Sequence, residues 1–385
     1  MTRPIYIHEF AITCALGEDA QTVQRNLLSA TPPVVSGQAI LTDGRKAPVG
    51  LLPFELADDN SGSRCNRIAD HCLKSLGPAI AHQMEDFGAA RVAVIVGTST
   101  SGVGEGTAAF AKYLERGHWP TDYRFPTQEL GDTAAHVASR IGARGPVYGI
   151  STACTSGAKA LASAARLIQA GLCDAAVAGG IDELCDLTLN GFAALEALSD
   201  RVCNPFSARR RGINLGEGGA LFVLSSKPSP IRLAGWGESA DAYHISAPDP
   251  EGKGAQSAME RALARAGCDA RDIGYLNLHG TATNLNDLME ARAVSRVFGP
   301  DLACSSTKPM TGHLLGAAGA CEAAFAAMAL QTGRLPSHVW DGEYDPEMPR
   351  IRLVAGAGEV SDTRRAMSCS YAFGGNNIAL MLETE

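Results

Sequence analysis

The sequence predicts an α/β fold built on an internal duplication. Three observations carry this: apolar strand runs that end in glycine, an alanine-rich helix run between two of them, and a recurrence of the same order in the second half. Residues 92–97 (VAVIVG) form a continuous apolar, β-branched run closed by Gly97, as a strand buried on both faces requires. Residues 175–180 (AAVAGG) read the same way. Between them, residues 158–170 (AKALASAARLIQA) are helix formers, and Gly171 follows as the terminator. Strand, helix, strand in succession is the α/β pattern. The recurrence is threefold. VIVGTSTS (94–101) rhymes with LNLHGTAT (276–283), and the segment around Cys154 with residues 305–330. GGALFVL (218–224) rhymes with GGNNIALML (374–382). A boundary at KPSP (227–230) divides the chain into halves of residues 1–227 and 228–385.

The chain has 385 residues, 45% hydrophobic and 19% charged, which is a globular composition long enough for a sizeable core. Lys and Arg total 33 against 41 Asp and Glu, a net charge of −8. That balance argues against a protein that coats nucleic acid or an anionic membrane. The start, MTRPIYIHEF, has no long apolar run, and the most apolar stretch, residues 314–330, is mostly Ala and Gly with Glu322 inside it. Neither reads as a signal peptide or a membrane span. The 11 cysteines are irregularly spaced with no C-x-x-C pair, so the expectation is a reducing cytoplasm and no zinc site.

Three constellations carry chemistry. In ISTACTSG (150–157), Cys154 lies between a strand and a helix among small residues that permit a sharp elbow. A thiol at a helix N-terminus is expected to have a lowered pKa, and the local N–H groups can hold an oxyanion. A buried, inert cysteine fits this context equally well. In HGTATNLNDLME (279–290), His279 ends an apolar run, where α/β sites gather, although a core histidine bonded to backbone reads as well. Asn286 and Asp287 read there as an N-cap, with Glu290 in the capping-box position. In KPMTGHLLGAAGACE (308–322), Lys308, His313 and Glu322 interrupt small apolar residues, and Lys308 and Glu322 are expected to pair. No P-loop, G-x-G-x-x-G, H-E-x-x-H or G-x-S-x-G is present.

Together these segments resemble the β-ketoacyl-acyl-carrier-protein synthases, the ketosynthases of the thiolase fold. The family's T-A-C-x-S-G is similar to residues 152–157, its H-G-T-x-T-x-x-N-D to 279–287, and its K-x-x-x-G-H-x-x-x-A-A-G-x-x-E to 308–322. A terminal F-G-G stands at 373–375. The resemblance implies a duplicated five-layer α-β-α-β-α sandwich of two pseudo-symmetric halves. It implies that Cys154 takes an acyl group as a thioester, and that His279 and His313 assist decarboxylation of a malonyl thioester. Lys308 and Glu322 would orient this machinery. Phe373 would be a gate, and the oxyanion hole would come from Cys154, Phe373 and Gly374. No metal or organic cofactor is implied. The implied partner is an acyl carrier protein, with Arg64 and Arg67 at its docking face and residues 209–211 as a second candidate.

The chain departs from the family where P-F-D-x-x-R-D-G becomes PFSARRRG (205–212). Ser207 and Arg211 replace acids there, which reads as surface drift. Asn376 stands where a Thr is usual. STSGVGEG (99–106) lies where the family shapes its acyl pocket and resembles the ketosynthases of aryl polyene pathways. That implies a homodimer, or a heterodimer with a Cys-less chain-length factor. The alternatives are housekeeping fatty-acid elongation, a non-condensing chain-length-factor-like partner, or a thiolase acting on coenzyme A esters with Cys369 as a second thiol.

Overall fold

A computed structural model describes residues 3–57, 62–356 and 358–384. The first half supplies strands β1 (Tyr6–Thr13), β2 (Val92–Gly97), β3 (Val147–Ile150), β4 (Ala175–Asp182) and β5 (Gly218–Ser225). The second supplies β6 (Ile231–Ala240), β7 (Tyr275–Asn277), β8 (Ala303–Ser305), β9 (Arg365–Ala372) and β10 (Asn376–Thr384). Their order in space is β3-β2-β4-β5-β1 and β8-β7-β9-β10-β6. Numbered within its own half, each series runs third, second, fourth, fifth, first. The directions match as well. The second strand is parallel to the third and fourth, and the fifth is antiparallel to the fourth and first. This repetition is the duplication that the rhyming segments predict. The halves are stitched where β1 meets β6, through Tyr6–Arg232 and Ile7–Ile231.

The helices follow the same symmetry. α1 (Arg64–Phe87) and α2 (Asp132–Ile141) cover one outer face, packed on β1, β5 and β2. α4 (Lys253–Ala266) covers the other on β6 and β10, with α5 (Asn284–Phe298) beside it. α3 (Ser156–Gln169) and α6 (Ala318–Thr332) lie between, each touching strands of both halves and each other. This is the expected five-layer, thiolase-like arrangement.

The central layer explains the alanine-rich sequence. Every residue of α6 from Ala318 to Leu330 is buried, so the helix has no polar face to present. The stretch that looked faintly like a membrane segment is therefore core. Among the described residues no helix is long and apolar enough to cross a membrane. Small residues also let α3 and α6 approach. A Cβ on Gly157 would meet the Gly316 carbonyl oxygen at 2.8 Å, and one on Gly319 would meet Ala158 Cβ at 2.8 Å. Gly171 has φ +72° just past the end of α3, as a helix terminator needs. The helix begins at Ser156, two residues earlier than the alanine run suggests.

Candidate active site

Cys154 sits on the elbow between β3 and α3. The elbow is tied internally: Thr152 N–H donates to Ser156 Oγ at 2.9 Å, and Thr155 Oγ1 donates to the Thr152 carbonyl at 2.7 Å. Ala153 holds φ +52°, a left-handed conformation that is uncommon for a residue with a Cβ. Ala282 (φ +63°) and Leu315 (φ +50°) do the same close to His279 and His313. Such strain gathers at functional sites, where surrounding structure enforces it.

The fold brings the three sequence constellations together. His313 Nε2 lies 2.9 Å from Cys154 Sγ. The His279 ring stands edge-on to His313, with centroids 5.2 Å apart at 84°. Lys308 Nζ is 3.5 Å from His279 Nδ1 and 2.5 Å from Glu322 Oε1. Cys154, His279 and His313 line a cavity of about 400 Å³, walled in part by Phe192, Thr281, Tyr371 and Phe373, and Lys308 and Glu322 stand outside that lining. Cys154 keeps partial exposure there. Phe373, 41% exposed, has its ring 5.8 Å from that of Phe192 at the rim.

Burial sets the charge states. It holds both imidazoles well below the ordinary 6.5, and the Lys308 ammonium adds to this. Both rings are therefore neutral at pH 7. An ammonium can only donate, so Nδ1 of His279 is an acceptor and its proton sits on Nε2, away from Lys308. Burial also pushes Cys154 up to about 12, against a smaller opposing pull from Lys308. This corrects the expected low-pKa thiol: desolvation outweighs the helix terminus, and the resting pair is neutral thiol beside neutral imidazole. Burial raises Glu322 to about 7, moderated by Lys308.

Several buried acids that the sequence reading left aside or misassigned position this machinery. Glu290 accepts from the N–H groups of His279 and Gly280, both at 2.7 Å. Asp287 accepts from Phe206 N–H at 2.8 Å and Ala282 N–H at 3.1 Å. The N-cap of α5 is Thr283, so Asp287 and Glu290 clamp the histidine loop rather than cap the helix. Asp182, at the end of β4, accepts from Ser99, Thr100 and Ala317 N–H groups and so ties the loop after β2 to the approach of α6. A buried acid facing several amides is visible in sequence only as an acid after an apolar run.

Other expectations need correction. The Gly374 N–H donates to the Ile245 carbonyl at 2.8 Å, so it is not free for an oxyanion. Among the described residues no other loop carbonyl takes the N–H of Cys154 or Phe373. Arg64 is not a free docking charge: its guanidinium makes two bonds of 2.6 Å to the buried Glu217. Arg67 pairs with Glu105 at 3.6 Å. Ser207 is fully buried and donates to Asp341, so its replacement is not surface drift, whereas Arg211 is exposed and also lines the cavity. Residues 99–106 do not line the cavity; Gly104 N–H instead donates to the buried Glu183. Cys369 is buried on β9 and outside the cavity wall, which removes the second thiol of a thiolase.

Among the described residues, Cys154, His279 and His313 also form the one group with three potential metal-ligand atoms within 4.8 Å of one another. The Lys308 ammonium beside His279 opposes a cation there.

A thiol from one half facing two neutral imidazoles from its twin, inside this layered fold, defines a thiol-dependent acyl-transferring enzyme of the thiolase type. The chain belongs to the β-ketoacyl synthase family of condensing enzymes: the family's N-terminal domain matches residues 67–229 and its C-terminal domain residues 231–339. It is 32% identical to the 3-oxoacyl-[acyl-carrier-protein] synthase 2 of Staphylococcus aureus, over 96% of this chain and 98% of that one. It is 34% identical to nodulation protein E of Rhizobium meliloti, over 99% of each. Among solved structures, a ketosynthase (ApeO) in complex with its chain length factor (ApeC) from Xenorhabdus doucetiae superposes with a TM-score of 0.94 at 40% identity, covering 100% of this chain and 98% of that one.

Proposed function

We propose that this chain is a 3-oxoacyl-[acyl-carrier-protein] synthase, the catalytic ketosynthase of an aryl polyene pathway of the type II polyketide kind. The observation that carries the chemistry is the 2.9 Å approach of Cys154 Sγ to His313 Nε2, with His279 beside it on the cavity floor. In the first step the Cys154 sulfur bonds the acyl carbon, the carrier's carbon–sulfur bond breaks, and the thiol proton leaves on the departing carrier thiol, while the His313 Nε2–H donates to the Cys154 sulfur. A malonyl thioester then loses carbon dioxide. The enolate oxygen that forms accepts hydrogen bonds from the Nε2–H groups of His279 and His313, which neutral imidazoles can donate without a preceding proton uptake. The enolate carbon attacks the acyl-Cys154 carbonyl, whose oxygen is held by the N–H groups of Cys154 and Phe373, and the Cys154 thiolate leaves. The buried Lys308–Glu322 pair fixes His279 in its donating tautomer.

The pathway assignment is supported by the likeness to the Xenorhabdus ketosynthase, whose structure includes a chain length factor. The intact Cys154, His279 and His313 favour the catalytic role over a Cys-less, non-condensing one. Pairing with a second chain of the same fold is supported by β3, an outer edge strand, and by an aromatic ladder of Phe110, Tyr113, Trp119 and Tyr123 in which Phe110 and Trp119 are exposed. We also propose that residues 1–227 and 228–385 are the repeated units, and that the protein acts in the cytoplasm, where its 11 free cysteines stay reduced.

Intact-mass measurement tests the central reading. Incubation with an aryl-primed carrier protein should add one acyl group to the wild type and none to Cys154→Ala, and added malonyl carrier should release it as a chain longer by two carbons. Full acylation of Cys154→Ala would end this reading; malonyl consumption without elongation would favour the non-condensing one.

A further inference from the structure

Lys159 makes a contact between the two halves that the chemistry above does not use. It lies in the first turns of α3, the helix that begins just after Cys154. Its ammonium donates to Asn376 Oδ1 at 2.8 Å. Asn376 opens β10, directly after the Phe373-Gly374-Gly375 turn, and pairs across the hairpin with Ala372. An ammonium only donates, so the amide oxygen faces Lys159 and Nδ2 turns the other way. That nitrogen lies 3.8 Å from where a Cβ of Gly374 would be, so the side chain reaches back along the turn.

The turn needs holding. Gly374 and Gly375 have φ +80° and +73°, conformations open to glycine, whose backbone is otherwise free. Its other ties come from its own half: Gly374 N–H to the Ile245 carbonyl and Asp241 N–H to the Gly375 carbonyl, both 2.8 Å. Ile245 is itself highly exposed and offers loose anchorage. Lys159 supplies the tie from the half that carries the thiol.

The tie is costly to build. Lys159 is half-buried, and burial followed by repulsion from Arg166 lowers its pKa. Among the described residues no carboxylate partners it; the neutral amide of Asn376 does. Stability alone would be better served by an apolar side chain or an ion pair at this depth.

We infer that Lys159 is a positioning residue: through Asn376 it locks the Phe373 turn against the Cys154 elbow, so that the Phe373 N–H and ring keep their places beside the sulfur. This rests on the condensing reading of Cys154. The lock joins the nucleophile's helix to the gate, so loosening it affects thiol access and turnover together.

The test is a double-mutant cycle on Lys159→Met and Asn376→Ala, with Lys159→Arg as the variant that keeps the donor. Each single change should raise the rate of Cys154 alkylation by iodoacetamide roughly threefold to tenfold, and lower kcat for condensation about tenfold with little change in KM for the malonyl carrier. The double variant should be no worse than either single one, and Lys159→Arg should recover most of kcat. Thermal melts show whether each variant is folded. Wild-type alkylation and turnover in both single variants, or losses that simply add in the double, would overturn the lock. Failure of wild-type Cys154 to take an acyl group would instead overturn the condensing reading.

Discussion

Cys154 Sγ and His313 Nε2 meet at 2.9 Å although 159 positions separate them, and they occupy equivalent places in the two halves. Each lies three residues before a glycine, Gly157 or Gly316, at the approach to its central helix. Those two glycines also meet, since a Cβ on Gly157 would lie 2.8 Å from the Gly316 oxygen. The reacting pair is thus set by the symmetry of the fold and by the tightness of one small-residue seam.

The seam gives the first prediction. Gly157→Ala would place a methyl 2.8 Å from the Gly316 oxygen and 3.0 Å from Ala320 Cβ. Overpacking of this kind costs about 1–3 kcal/mol. The expected result is a folded enzyme with a lowered Tm and a condensation rate down by about a hundredfold, because the thiol and imidazole are wedged apart. Turnover at the wild-type level would show that the seam does not set their distance.

The two histidines should separate kinetically. His313 touches the sulfur, and His279 faces the cavity from behind it. His279→Ala should still form the acyl-enzyme, but lose about 10²–10⁴-fold in malonyl decarboxylation. His313→Ala should slow both acylation and decarboxylation. Rapid-quench mass spectrometry of the acyl-enzyme and carbon dioxide release distinguish the steps. Equal damage to acylation in the two variants would refute the division.

The buried cation–carboxylate pair should matter more to stability when broken than when replaced. Lys308→Met leaves Glu322 uncompensated in the core and should cost about 3–5 kcal/mol by chemical denaturation. Adding Glu322→Leu should recover much of that loss while activity stays low, since His279 has lost the donor facing Nδ1. A double variant as unstable as Lys308→Met would count against the pairing.

Reactivity against pH follows from the two shifts. With its pKa pushed up to about 12, the Cys154 thiol is almost wholly protonated at pH 7. Alkylation by iodoacetamide should therefore climb about tenfold per pH unit from 6 to 9 with no plateau. Both imidazoles are held well below 6.5, so their neutral forms persist as the medium is acidified. The acid limb of kcat should lie below pH 6.5. For stability the sign is the same. The unfolded histidines take up protons near 6.5 while the folded ones do not, so the fold weakens as pH falls below that value. A plateau of alkylation near neutrality would mean that the thiol is activated in the free enzyme.

Much of this was legible in the linear chain because it is local. Runs such as 92–97 announce strands, the alanine run announces α3, and the residues around Cys154, His279 and His313 sit in short, dense motifs. What was not legible depends on distant partners. Arg64 looks like a free surface charge until Glu217 is found beneath it. Glu290 mimics a cap because it follows Asp287 at helix spacing, yet its partners are two amides on a preceding loop. The direction of the Cys154 shift depends on how much apolar material the other half lays over it, and no feature of residues 150–157 records that.

The twin topology has a consequence for any cleavage of the polypeptide between Ser225 and Ile231. The sulfur would remain on one fragment and both imidazoles on the other, so neither piece could turn over alone. Activity would return only by complementation, and the dose dependence of that reassembly would measure how firmly the two fragments clasp each other.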